Sequence, residues 1–150
     1  MAAHSAEQIA RWFLAHNRIA ESSAGAESIS NLKLQKLLYY AQGCFLAMTG
    51  NSLFPDKIVA WQHGPVVESV YRKYKENGSS GIPFDEDFDF SDFSKEENDL
   101  LTEVYDVFGQ YSAWKLRNMT HEEAPWKETP PNEVIPNEKI KDYFEKEYMA

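Results

Sequence analysis

The sequence predicts a mainly α-helical, compact single-domain bundle around one central apolar helix, with a short β strand or hairpin. The central helix is predicted at about residues 30–49, where apolar side chains occur on most helical faces and Gly50 follows as a stop. β-branched and aromatic residues near 53–62 are typical of a short strand or hairpin. Hydrophobic residues make up 43% of the chain, enough for a buried core.

Helix starts are marked by serines at capping positions. Ser5 is followed by Gln8 and Ser94 by Glu97, the spacing at which both side chains cap the first turn. We therefore expect a first helix from Ser5 and another from Ser94. Further helices are predicted to begin at Pro65, Ser112 and about Asn137.

Gly43 lies inside the predicted central helix, where glycine costs about 1 kcal/mol relative to alanine. A close approach by another segment of backbone would explain it.

The length of 150 residues indicates one domain. Residues 1–127 are predicted to form a helical domain. Residues 128–150 are predicted to form a proline-containing linker and an amphipathic C-terminal helix that packs on the same domain.

Charge and composition restrict the function classes. The chain carries 15 basic and 24 acidic residues, a net charge of −9, which disfavours nucleic-acid binding and suits a basic protein partner. No stretch approaches the ~18 apolar residues of a membrane span, and the N-terminus has no signal-peptide core. We expect a cytoplasmic protein that does not enter a membrane.

Residues with catalytic or metal-binding potential are few. Cys44 is the single cysteine, inside the most apolar helix, where a thiol is inert. The four histidines lack metal-binding helical spacing, so we expect no metal, no cofactor and no enzyme. One alternative stays open, a small enzyme using His63 and His121. His63 could also help hold an anion at a helix start near Pro65, although a simple strand-to-helix turn is the favoured interpretation.

Aromatic residues indicate candidate binding surfaces. Phenylalanines alternate with acidic residues over 84–93, which we interpret as an ordered surface loop. The predicted C-terminal helix carries aromatics on one face. The candidate partner-binding residues are Phe84, Phe88, Phe90, Phe93, Tyr143, Phe144 and Tyr148.

Three blocks of sequence, at 29–43, 54–71 and 116–126, resemble the Panacea domain of the SocA-like antitoxin family. They occur in the family's order and extend to about Lys127. The residues that carry the resemblance include Lys33, Leu34, Gln35, Lys36, Leu37, Tyr39, Tyr40, Trp61, Gly64, Pro65, Val66, Tyr71, Thr120, His121, Pro125 and Trp126.

The resemblance implies a compact helical domain that binds a toxin encoded beside it and holds it inactive. Some relatives instead hand the bound toxin to a Clp-type protease, so a proteolytic adaptor is the alternative. Phage-associated proteins of unassigned role also belong to the family. The sequence leaves the toxin, the binding face and a homo-oligomeric state open.

Overall fold

A computed structural model describes residues 4–25, 27–77, 81–82 and 88–149. This part of the chain contains seven α-helices and one antiparallel β-hairpin, so the predicted mainly α fold class is confirmed. The elements are α1 (Ala6–Ala24), α2 (Asn31–Thr49), β1 (Ile58–Trp61), β2 (Gly64–Val67), α3 (Glu68–Tyr74), α4 (Lys95–Phe108), α5 (Ala113–His121), α6 (Ala124–Lys127) and α7 (Asn137–Glu147). Short 3-10 turns occupy Lys75–Asn77 and Phe90–Asp92. None of the helices in the described ranges is long and apolar enough to cross a membrane.

Helix α2 lies at the centre of the bundle, as predicted. It packs against α1, α4, α5, α7 and the hairpin. The Ser30 hydroxyl accepts a hydrogen bond from the Lys33 amide, and Gly50 ends the helix with a left-handed φ of 79°. Most of its residues are buried, which explains why apolar side chains occur on nearly every face.

Both predicted capping boxes are present. In α1 the Gln8 amide donates to the Ser5 hydroxyl, while the Gln8 side chain accepts from the Ser5 amide. Ser94 and Glu97 repeat the arrangement in α4. Each box satisfies two amides that a helix start leaves without partners.

The hairpin corrects the prediction of a helix from Pro65. Strand β2 pairs with β1 from Gly64 opposite Trp61 to Val67 opposite Ile58, and α3 begins only at Glu68. Two successive β-branched valines suit a strand, and proline is tolerated at the edge of a two-stranded sheet. No helix therefore starts beside His63 to hold an anion.

The predicted linker after α6 contributes to the other edge of the hairpin. The Ala60 amide donates to the Glu133 carbonyl at 2.9 Å, and the Ile135 amide donates to the Ile58 carbonyl at 2.7 Å. Ile135 is buried in the core. These bonds fix the path of the chain into α7.

Helix α7 packs on α2 where Gly43 leaves room. A Cβ atom at Gly43 would overlap the ring of Phe144, which is fully buried. The prediction that Gly43 accommodates a neighbouring backbone was therefore wrong, because the neighbour is an aromatic side chain.

Replacing Gly43 by alanine should destabilise the fold by about 1–3 kcal/mol, because the free-energy cost of displacing the Phe144 ring exceeds the gain in helix propensity. Chemical denaturation of the single variants and of the Gly43→Ala/Phe144→Leu double variant measures this. The double variant should lose less stability than the sum of the single changes. Additive losses would contradict the steric explanation.

Candidate functional site

Polar side chains buried along α2 connect it to distant parts of the fold. The Gln42 side chain accepts from the Leu53 amide at 2.6 Å and donates to the Phe54 carbonyl at 2.9 Å. Gln35 accepts from the Val67 amide at 2.9 Å, which fixes β2 against the helix. Buried backbone groups need hydrogen-bond partners. The side-chain amides of Gln42 and Gln35 supply partners that the backbone of the loop and of the hairpin would otherwise lack.

Lys36 lies with its ammonium group inside the protein. Its side chain is fully buried, and Nζ donates to the Pro65 carbonyl at 3.1 Å. Burial, with the positive charge of Arg117 adding to it, lowers the pKa of Lys36 to about 7. At Gly64, φ is 114° and a Cβ atom would lie 2.7 Å from Lys36 Cε, so only glycine fits.

Glu123 is a buried carboxylate held by three tyrosine hydroxyls. Tyr39 and Tyr40 donate to it at 2.9 and 3.0 Å, and Tyr148, just past α7, donates at 2.6 Å. Burial raises the pKa of Glu123, and the three hydrogen bonds oppose that rise. The cluster joins α2 to the α5–α6 turn and to the C-terminal end of the chain.

The two histidines considered for catalysis have other partners. The His121 ring stacks on Trp126 at 4.0 Å, and burial is the main cause that lowers its pKa. His63 accepts a hydrogen bond from Arg117 Nε at 3.1 Å through Nδ1. Within the described ranges, no hydrogen bond joins either imidazole to a hydroxyl or thiol, and no group of three or more His, Cys, Asp or Glu could hold a metal ion.

One groove lies between the hairpin, α2 and α3, and we call it the hairpin groove. Its volume is about 500 Å³. Trp114, 56% exposed, and Arg117 do not line this groove, but both contact His63, which does. The Arg117 guanidinium lies 4.5 Å from the centre of the Trp114 indole. The lining residues are Asn31, Leu32, Gln35, Trp61, Gln62, His63, Val66, Tyr71, Lys75 and Asn132.

A second groove, which we call the terminal groove, lies between α2, α4 and the C-terminal end of α7. Its volume is about 370 Å³, and most of its lining is apolar. Large apolar side chains along it are exposed, including Met48 at 61% and Val107 at 43%. It is lined by Cys44, Met48, Leu100, Glu103, Val104, Val107, Phe108, Tyr148 and Met149. Burial raises the pKa of Cys44 to about 12, so this thiol is a poor nucleophile.

Comparison with known families decides the affiliation of this fold. The family model described as antitoxin SocA-like, Panacea domain, matches residues 34–127, more than half of the chain. The chain belongs to this Panacea family. The match begins within α2 and ends with α6, and therefore contains Lys36, Glu123 and the whole hairpin.

A curated relative supports the same affiliation. The chain is similar to antitoxin SocA of Caulobacter vibrioides (strain NA1000 / CB15N), with 52% identity over 54 residues. That match covers 36% of this chain and 29% of the relative. No solved structure matches the chain.

The residues that carried the resemblance serve the Panacea fold. Each is buried or half-buried: Lys36, Tyr39 and Tyr40 within α2, Gly64 and Val66 in β2. Trp126 donates from its indole nitrogen to the Trp61 carbonyl at 2.7 Å, which ties the closing block to the hairpin.

The candidate partner-binding residues differ in accessibility. Phe84 lies outside the described residues. Phe93, which stacks on His4, and Phe144 are buried, so they pack in the core beneath the surface and are not accessible to a partner. Those with accessible area are Phe88, Phe90, Tyr143 and Tyr148. Partner contact at these positions stays a prediction.

Sequence reasoning missed Glu123. The residue stands in the closing block, two positions before Pro125, and no role was predicted for it. The sequence did contain one signal. Glu123 is a charged residue just before the Pro125-Trp126 pair, in a block whose signature residues are buried or half-buried. Its three hydroxyl donors come from positions 83, 84 and 25 residues away in the chain.

Proposed function

We propose that this chain is an antitoxin that neutralises a cognate toxin by direct protein–protein binding. The observation that carries the proposal is the match of residues 34–127 to the SocA-like Panacea family. The similarity to antitoxin SocA supports it. Neutralisation by binding needs an interface of about 1,600 Å² in total and no chemical step on the antitoxin's side.

The terminal groove is the surface that best suits toxin contact. It places exposed apolar side chains next to Tyr148, one of the predicted partner-binding residues. Contiguous apolar surface of this kind is typical of protein interfaces. The net charge of −9 would speed the capture of a basic toxin through electrostatic steering.

Co-expression with the protein encoded beside it tests the function. The neighbour should arrest growth when expressed alone, and this chain should restore growth and co-purify with it. A harmless neighbour, or rescue without a complex, would refute the proposal. The half-life of the toxin separates simple blocking, which leaves it unchanged or longer, from delivery to a Clp-type protease, which shortens it.

Met48→Asp should weaken the complex at least about tenfold, because it places a charge in an apolar interface. Isothermal titration calorimetry of the purified proteins measures the change. Ile19→Asp is the matched control, since Ile19 is 56% exposed on α1, away from the terminal groove. Equal affinities for the two variants would place the toxin elsewhere.

A further inference from the structure

We propose that the hairpin groove binds an acidic segment of a partner protein, with a carboxylate of that segment paired to Arg117. The inference rests on the proposed function where the partner is the toxin, and it adds a second contact surface to the terminal groove.

The lining of the hairpin groove differs in charge from the molecule as a whole. The chain has a net charge of −9, yet no Asp or Glu lines this groove, whereas Lys75 does. Three further grooves on the described surface each include at least one carboxylate, among them Glu103 and Glu21. An acidic partner segment would therefore meet less repulsion here than in the other grooves.

Arg117 is positioned to receive a carboxylate. Its hydrogen bonds within the described ranges go to His63 Nδ1 and Asn118 Oδ1, both at 3.1 Å, and neither partner is acidic. These bonds use two of the five N–H donors of a guanidinium, and a carboxylate can accept two more side by side. Lys75, further along the groove, likewise forms no ion pair in the part of the chain that the structure describes.

Trp114 adds an apolar contact next to the charge. Its indole lies under the Arg117 guanidinium, which limits the freedom of the arginine before any partner binds. It is also exposed across more than half of its surface. Tryptophan and arginine are the residue types that most often dominate the binding energy of interfaces.

Internal hydrogen bonds hold the side chains on the groove floor in place without a partner. Gln35 donates to the Asn31 side-chain oxygen at 2.9 Å, and Asn31 donates to the Tyr71 carbonyl at 3.1 Å. Specificity would therefore come from Lys75 in the lining and from Arg117 and Trp114, which contact His63 at its edge. The volume of about 500 Å³ fits one or two side chains of an extended peptide.

Fluorescence anisotropy with three labelled probes tests the inference on the full chain. The probes are a short peptide alternating Glu and Leu, the same peptide with Gln for Glu, and a single-stranded oligonucleotide of equal length. We expect the Glu peptide to bind at least about tenfold more tightly than the Gln peptide, and added salt to weaken it. Similar affinities for the two peptides, no binding of either, or tighter binding of the oligonucleotide would overturn the inference.

Charge reversals locate the contact. Arg117→Glu and Lys75→Glu should each weaken the Glu peptide at least about tenfold, while Lys95→Glu, the same charge change on α4, should change it less than about twofold. Lys75 is exposed, so its reversal keeps the test valid if Arg117→Glu misfolds, which circular dichroism would reveal. Loss of binding in all three variants alike would indicate general charge attraction and overturn the assignment.

The same variants, titrated with the co-expressed toxin, separate the two proposals. If the wild-type chain forms no toxin complex, the proposed function fails, while the peptide result still decides the groove. If the toxin binds and both reversals leave its affinity unchanged, the toxin does not supply the acidic segment, and that assignment is overturned.

Discussion

Glu123→Ala is expected to destabilise the protein by about 3–5 kcal/mol, a large part of the total stability of a domain. The substitution removes the acceptor shared by Tyr39, Tyr40 and Tyr148, and two of these hydroxyls are buried. A buried donor without a partner costs about 1–3 kcal/mol. Thermal and urea denaturation followed by circular dichroism measures the loss.

Glu122→Ala is the matched control for that change. Glu122 precedes Glu123 and is exposed, so its removal should alter stability by less than about 0.5 kcal/mol. Glu123→Gln should fall between the two, since the amide keeps one oxygen acceptor and nearly the same shape. The network is not a stabilising unit if Glu123→Ala and Glu122→Ala behave alike.

The buried ammonium of Lys36 predicts that stability rises with pH. Its pKa is about 7 in the folded state and about 10.5 when exposed. Between these values the unfolded chain binds the extra proton, so the free energy of unfolding increases as pH rises. Between about pH 7 and about pH 9 the gain attributable to this residue is about 2 kcal/mol.

Lys36→Met tests this assignment. Methionine fills nearly the same volume without a charge, so the variant should lose the Lys36 part of the pH dependence and be at least as stable as the wild type near pH 7. Lys57→Met, at an exposed lysine, should keep the wild-type profile. An unchanged pH profile in Lys36→Met would mean that Lys36 stays charged in the folded protein.

Local chemistry in the sequence predicted much of the helical framework. The serine caps of α1, α2 and α4 act within four residues of the chain, so the sequence holds all the information that they need. The same local reasoning failed at Pro65, because a proline that suits the first turn of a helix also suits an edge strand. The pairing of residues 64–67 with β1 decides in favour of the strand.

The candidate site depends on contacts that no local pattern records. Glu123 meets Tyr40 across 83 positions of the chain, and Arg117 meets His63 across 54. Gly43 could be recognised as an unusual residue, but not its neighbour, because Phe144 lies 101 positions later in a helix whose packing face sequence alone leaves open. The resemblance to a family supplied blocks of residues without the contacts between them.

The Panacea signature residues are all at least half-buried, whereas both grooves have rims of exposed residues outside the signature. If the two grooves bind partners as proposed, partner choice would rest largely on exposed positions outside the signature. A library randomised at Met48, Val107, Trp114 and Lys75 would leave the Glu123 and Lys36 interiors unaltered. Selection from such a library could change which protein the domain binds without redesigning its scaffold.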